Sequence, residues 1–339
     1  MSIKVKDIAQ MLNISPSTVS LVLNDKPGIS EATRQKIFGL IDELGYGDML
    51  PKRKENIRSN KSIGFLIYKK SGRLVSDTQF FSELIQGIDI RCRSYGYKLM
   101  VTYINEADSP EDHIKSFTGD DCEGIILLAT EMDSKDFDYF EEIGLPCVVL
   151  DSYFERVNYD CIVINNVQGA FEATNYLAKM GHKNIGYLRS SYRVNNFRER
   201  YEGFAKALRH NKLKENHDFV LELGSLMETS YEAMKAHLEN KIPIPTAYFA
   251  ENDLVALGAI KALREAGFKV PEDISVIGFD NIPLSSILEP HLATIHVPKQ
   301  RLGMLAVDRL VTRLSESPEE FVKIEVGTTL MERESVTKL

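Results

Sequence analysis

"DIAQMLNISPSTVSLVLN", residues 7–24, reads as two short helices joined by a tight turn. Val5, Ile8, Ala9 and Leu12 fall three or four residues apart, the stripe of a helix with one buried face. Ser15 is a good N-cap, and Pro16 follows at the first helical position, where its missing N–H costs nothing. Val19, Val22 and Leu23 then form the buried side. A third helix is expected from Ser30 as cap, with Glu31 in its first turn, through Ile37, Leu40, Ile41 and Leu44 to a stop at Gly45. The first two helices have the form of a helix-turn-helix, whose second helix enters the DNA major groove. Its outward positions, Pro16, Ser17, Ser20 and Leu21, offer two hydroxyls and apolar surface. They suit a hydroxyl hydrogen bond or a thymine methyl, not bidentate guanine recognition. A three-helix scaffold with no DNA role fits the same pattern.

Charge sharpens this reading. The 339 residues carry a net charge of −8. Residues 1–62 hold ten Lys and Arg against seven Asp and Glu, a net of +3 that leaves −11 on the remainder. A basic tip on an acidic body points to one polyanion-binding end, because Lys and Arg neutralising phosphates dominate nucleic-acid affinity. With 43% hydrophobic and 27% charged residues the composition is globular. No apolar run is long enough for a membrane span and the N-terminus lacks the pattern of a signal peptide, so a cytoplasmic protein with no membrane partner is expected. Cys92, Cys122, Cys147 and Cys161 make no C-x-x-C spacing and read as buried free thiols.

Residues 47–61, "GDMLPKRKENIRSNK", lack an apolar period and hold five basic residues against two acidic ones. They read as a linker between a domain at 1–46 and a body at 62–339. From Ser62 onward, strand-like runs such as "SIGFLIY", "CEGIILLAT", "PCVVLD", "DCIVINN", "NIGYLRS" and "DISVIGFDN" alternate with amphipathic segments. Continuous apolar strands separated by helices argue for parallel sheets covered on both faces. The strands are too many for one sheet of usual width, so two doubly wound α/β subdomains are expected. A final helix over Lys299 to Leu314 and the run "FVKIEVGTTLMER" close the chain.

In open α/β sheets a ligand binds beyond the carboxyl ends of the strands. Here those ends are polar: Asp151 after "VVL", Asn252 and Asp253 after "YFAE", Asp280 and Asn281 after "VIGF". Carboxylates and amides together suit hydroxyl groups. Arg198 and Arg200 open the helix "FRERYEGFAKAL", and Phe80 with Phe81 offers ring faces for stacking. Taken singly, each polar residue reads as readily as a helix cap and each Phe as core. Enzyme signatures are missing: no G-x-S-x-G, H-E-x-x-H, P-loop or G-x-G-x-x-G stands where it should. The seven histidines show no metal-ligand spacing. Binding without catalysis, metal or cofactor is the expectation.

These stretches are similar to those of the LacI/GalR family of transcriptional regulators. The resemblance runs through "VKDIAQMLNISPSTVSLVLN", "GISEATRQKI", "ELGY", "AKMGHKNIGYL", "RERYEGFAKAL", "AENDLVALGAIKALREAG" and "VPEDISVIGFDNIPLSSILEPHLATIHVP". It implies an α/β fold with an N-terminal all-α helix-turn-helix and a periplasmic-binding-protein-like core of two subdomains joined by three crossovers. Their expected bounds are 62–164 with 296–324, and 165–295 with 325–339. It also implies a homodimer on pseudo-palindromic operator DNA, and a small-molecule effector between the subdomains that shifts DNA affinity. By position, the DNA contacts are Ser15, Pro16, Ser17, Thr18, Ser20, Leu21 and Asn24. The effector contacts are Tyr68, Phe80, Phe81, Asp151, Arg198, Asn252 and Asp280. A sugar or sugar derivative is the first expectation for that effector and a nucleobase or nucleoside the alternative. An exported sugar-binding protein or an enzyme on the same core ranks below both.

Three departures from the family pattern matter. Leu21 stands where an Arg is common. The hinge has Glu55 at the position of a leucine wedge and Pro51 inside the would-be helix, which disfavours both helix and insertion between bases. Phosphate contacts through Lys52, Arg53 and Lys54, or a wedge shifted to Met49 and Leu50, are expected instead. Ser225 to Met227 lack an aromatic that would stack on an effector. No heptad follows Arg333, which favours a dimer over a coiled-coil tetramer.

Overall fold

The computed structural model describes residues 5–12, 14–23, 29–43, 61–71, 74, 75, 79–106, 108, 121–140, 144–156, 158–240 and 243–339. Its backbone separates into two units, residues 1–59 and 60–339. Asn24, the hinge residues Pro51 and Glu55, the candidate wedge of Met49 and Leu50, and the basic run Lys52, Arg53 and Lys54 lie outside the described residues.

The small unit holds three helices, α1 (Val5–Met11), α2 (Pro16–Leu23) and α3 (Glu31–Glu43). The apolar periods meet as expected: Ile8, Ala9, Val19, Val22, Ile37 and Ile41 are buried together. Ser15 caps α2 by accepting from the Thr18 N–H at 3.1 Å, and Ser30 caps α3 by accepting from the Thr33 N–H at 3.3 Å.

The large unit follows the alternation of strands and helices. Its first sheet has the order β11-β5-β4-β3-β1-β2, where β1 is Ser62–Lys69, β2 Lys98–Asn105, β3 Cys122–Leu128, β4 Cys147–Leu150, β5 Asp160–Ile164 and β11 Lys323–Val326. All its pairings are parallel. The central strands β1, β3, β4 and β5 are buried along almost their whole length. That is the burial expected of parallel strands covered on both faces. The edge strand β2 leaves Met100, Val101 and Tyr103 exposed. A second parallel sheet, in the order β7-β6-β8-β9, comprises β6 (Ile185–Ser190), β7 (Val220–Leu223), β8 (Ala247–Ala250) and β9 (Ser275–Ile277).

The chain passes between the lobes three times. It leaves the first sheet after β5, returns through β10 (Thr294–His296), and leaves again between β11 and β12 (Thr329–Met331). The last expected crossover, at 324/325, falls inside strand β11, so the passage itself comes after Val326. β10 and β12 pair with each other, antiparallel, across three residues. The return helix Lys299–Glu316 then packs on the helix Gln79–Ser94 of the first lobe at very short range. A Cβ on Gly87 would lie 2.2 Å from the Gln300 carbonyl, and one on Gly303 would lie 2.5 Å from that of Leu84. Only glycine fits at this crossing. The four cysteines are buried and free. No described helix is long and apolar enough to cross a membrane.

Candidate effector site

The polar strand ends converge between the two lobes. Asp151 follows β4 with a left-handed φ of 66°, and Asp280 and Asn281 follow β9 with φ of 105° and 52°. Such conformations are uncommon for residues with a side chain, and clusters of them mark binding sites held by their surroundings. Both aspartates line an inner compartment of about 60 Å³, with Phe80, Phe81 and Thr130 from the first lobe and Asn196, Phe197, Arg200 and Asn252 from the second.

Its charges are wired before any ligand arrives. Arg200, 3% exposed, donates from Nε to Asn166 Oδ1 at 2.9 Å and from Nη1 to the Glu251 carbonyl at 2.5 Å. Its Nη2 stands 3.1 Å from Asp280 Oδ1. The direction of that ion pair misses a hydrogen bond, so the carboxylate oxygen keeps an open acceptor position. The guanidinium also lies 3.8 Å from the centroid of the Phe279 ring, a cation–π contact. Asp151 accepts from Thr130 Oγ1 at 2.6 Å and from Asn196 Nδ2 at 3.0 Å. Burial pushes its carboxyl up to about 6, against the opposing pull of these bonds and of Arg200. Burial raises Asp280 as well, with Arg200 and Lys299 opposing. Asp253, behind them, accepts from Thr294 Oγ1 at 2.5 Å and from the Ile282 N–H at 2.8 Å. Burial and the neighbouring Asp280 raise it to about 8.

Of the seven expected effector contacts, Phe80, Phe81, Asp151, Asn252 and Asp280 line this compartment. Asn252 also caps the helix Asp253–Glu265 by accepting from the Val255 N–H at 2.8 Å, the helix-cap reading the sequence allowed. Tyr68 does not line it. Strand alternation turns its ring to the other face of β1, where it meets Phe140 edge-on at 6.1 Å. Arg198 does not line it either: it stands in a wider outer compartment and bonds Asn195 Oδ1 at 2.5 Å. Arg200 takes the inner position. Asn196 and Thr130 are further members that strand-end reasoning passed over. A signal for Asn196 was present, since it stands four residues before Arg200 on the buried face that also carries Phe197 and Phe204.

The outer compartment, about 720 Å³, shares Val194 and Phe197 with the inner one. Glu131 builds its entrance by accepting from the backbone N–H groups of Lys70, Ser71, Leu74 and Val75. No group of three or more His, Cys, Asp or Glu among the described residues is placed to hold a metal ion. In the small unit, Ser15, Pro16, Ser17, Ser20 and Leu21 are exposed on or beside α2, with Thr18 half-buried.

Two family models match the chain: bacterial regulatory proteins of the lacI family over residues 4–47, and a periplasmic binding protein-like domain over residues 174–336. The HTH-type transcriptional repressor PurR of Pasteurella multocida (strain Pm70) is 35% identical over 334 residues, covering 98% of both chains. Among solved structures, the transcriptional regulator CelR–cellobiose complex aligns with a TM-score of 0.73 at 23% identity, over 98% of this chain and 100% of that one. The lac repressor dimer bound to operator and the anti-inducer ONPF gives 0.71 at 24%, over 99% and 100%. With full-length similarity of this order joined to a helix-turn-helix unit and a two-lobed α/β core, the chain belongs to the LacI family of bacterial regulatory proteins.

Proposed function

We propose that the protein represses transcription by binding operator DNA through α2, and that a sugar or sugar derivative held in the inner compartment sets its operator affinity. Family membership makes it a DNA-binding transcriptional repressor and not an enzyme. The observation that carries the effector reading is the set of Asp151, Asp280, Arg200, Asn196 and Asn252 around one small compartment walled by Phe80, Phe81 and Phe197. Carboxylates accept from hydroxyls, Arg and Asn donate to them, and ring faces cover the apolar face of a pyranose. The same residues come from both lobes, so a bound ring biases the angle between them. Couplings of this kind carry about 1–3 kcal/mol, roughly 5- to 150-fold in DNA affinity.

At the DNA, the exposed Ser17, Ser20 and Leu21 suit hydroxyl and methyl contacts in the major groove. A homodimer is proposed with this, in the manner of the lac repressor dimer on its operator. A nucleobase or nucleoside effector is the second reading, favoured by the relatives named PurR and by three phenylalanines at the compartment wall.

The decisive experiment is isothermal titration of the full chain with hexoses, pentoses and disaccharides beside purine bases and nucleosides. It is followed by mobility shift on genomic fragments at several salt concentrations, with and without the bound compound. A sugar that binds and moves the DNA midpoint supports the first reading. A purine that does so supports the second. DNA binding unaltered by deleting residues 1–61 overturns the assignment of α2.

A further inference from the structure

The ring proposed above fills the inner compartment, and the larger outer one has a different chemistry. The helix Asn195–His210 points its amino end into it. No side chain caps that end, because Val194 occupies the cap position, and Val194, Asn195 and Arg198 all line the cleft. An uncapped amino end presents unpaired N–H groups and the positive pole of the helix dipole. Two arginines stand beside it. Arg198 bonds only the Asn195 side chain, and Arg189 lies on the Tyr201 ring at 4.7 Å. Neither makes an ion pair among the described residues, whereas Arg193 is matched by Glu222, and Lys70 by Asp133 and Asp136. The nearby buried carboxylates are engaged elsewhere: Glu131 by the loop N–H groups, and Glu251 by the Ser190 N–H and the Tyr187 hydroxyl.

An independent observation points the same way. Ser152, 1% exposed, lines this cleft with a hydroxyl that has no hydrogen-bond partner among the described residues. Buried polar groups are nearly always paired, so this hydroxyl is placed to take a ligand oxygen. A buried hydroxyl without a partner, two guanidinium groups without an ion pair and an uncapped helix end, opposed by the exposed Glu155 at the rim, describe an anion receptor.

We propose that the outer compartment binds a phosphomonoester carried by the effector, so that the effector is a phosphorylated sugar with its ring in the inner compartment. The phosphate oxygens accept from Arg198, Arg189, Ser152 Oγ, Asn195 Nδ2 and the first-turn amides. The inference rests on the reading of the inner compartment as a ring site.

Titration of the full chain with glucose, fructose and ribose, each beside its terminal phosphomonoester, and with inorganic phosphate tests it. A phosphomonoester is expected to bind at least about tenfold tighter than its parent, since charge-assisted bonds are the strong ones. That advantage shrinks between about 0.05 and 0.5 M salt, because the arginines are solvent-accessible. Arg198→Gln and Arg189→Gln are expected to abolish the advantage and leave parent-sugar binding as it was. Phosphomonoesters no tighter than their parents, or no thermal shift with any phosphate compound, overturn the proposal. Phosphomonoesters that bind no tighter than inorganic phosphate, and are unaffected by Asp280→Asn, would keep the anion site and overturn the ring site.

Discussion

The inner and outer compartments of the cleft lie side by side and are built on opposite principles. Inside, the charges are held in advance: Arg200 is spread over Asn166, Glu251 and Asp280, and Asp151 is fixed by Thr130 and Asn196, with one Asp280 oxygen left open. Outside, Arg189 and Arg198 make no ion pair among the described residues, and Ser152 Oγ has no hydrogen-bond partner among them. Buried charges must be paired, so removing one member of the inner set leaves its partner uncompensated and costs stability. Exposed cations need no partner, so the outer set is free to choose one. The difference teaches which residues report on stability and which on ligand alone.

That contrast is easiest to break at Arg200. Arg200→Met leaves Asp280 buried without its cation, and a loss of about 3–5 kcal/mol of unfolding free energy is expected by denaturant titration. A loss below about 1 kcal/mol would place the pairing energy elsewhere. Next comes the acidity of Asp151. A ligand hydroxyl donating to it favours the ionised form, so sugar affinity should rise by about tenfold as pH climbs from 5 to 7.5 through its value near 6. The unliganded protein behaves oppositely: with the folded carboxyl above its unfolded value, its contribution to stability falls as pH rises from about 4 to about 6. Asp151→Asn should flatten both slopes. Ser15→Ala removes the cap of α2 and should cost about 1 kcal/mol in the small unit, read by hydrogen exchange within α2. On the outer side, Arg198→Ala should leave stability within about 0.5 kcal/mol, because the side chain is exposed. The smallest effect belongs to Tyr68→Phe, for which no change in sugar affinity is expected by titration.

Element types and sheet class were legible because the signals are local. Ser15 and Ser30 announce helix starts, and unbroken apolar runs announce parallel strands. The strand-end rule located Asp151, Asn252 and Asp280, since a parallel sheet presents all its carboxyl ends to one edge. It does not say which compartment a side chain faces. Tyr68 precedes the end of β1 by one residue, and in a strand one residue changes the face. Arg198 and Arg200 are two apart on a helix, about 200° around it, so only one can face inward. Phe197 and Phe204 mark which, as Arg200 shares their side. Thr130 was missed, and Asn196 was marked only by its helix face, because their partner Asp151 is distant in sequence. No local pattern carries a contact across 45 residues.

The short ladder between β10 and β12 joins two of the three strands of chain that run between the lobes, pairing Thr294 with Met331 and His296 with Thr329. Neither passage can swing without carrying the other. An effector of the kind proposed for the cleft would therefore have to move the two passages together.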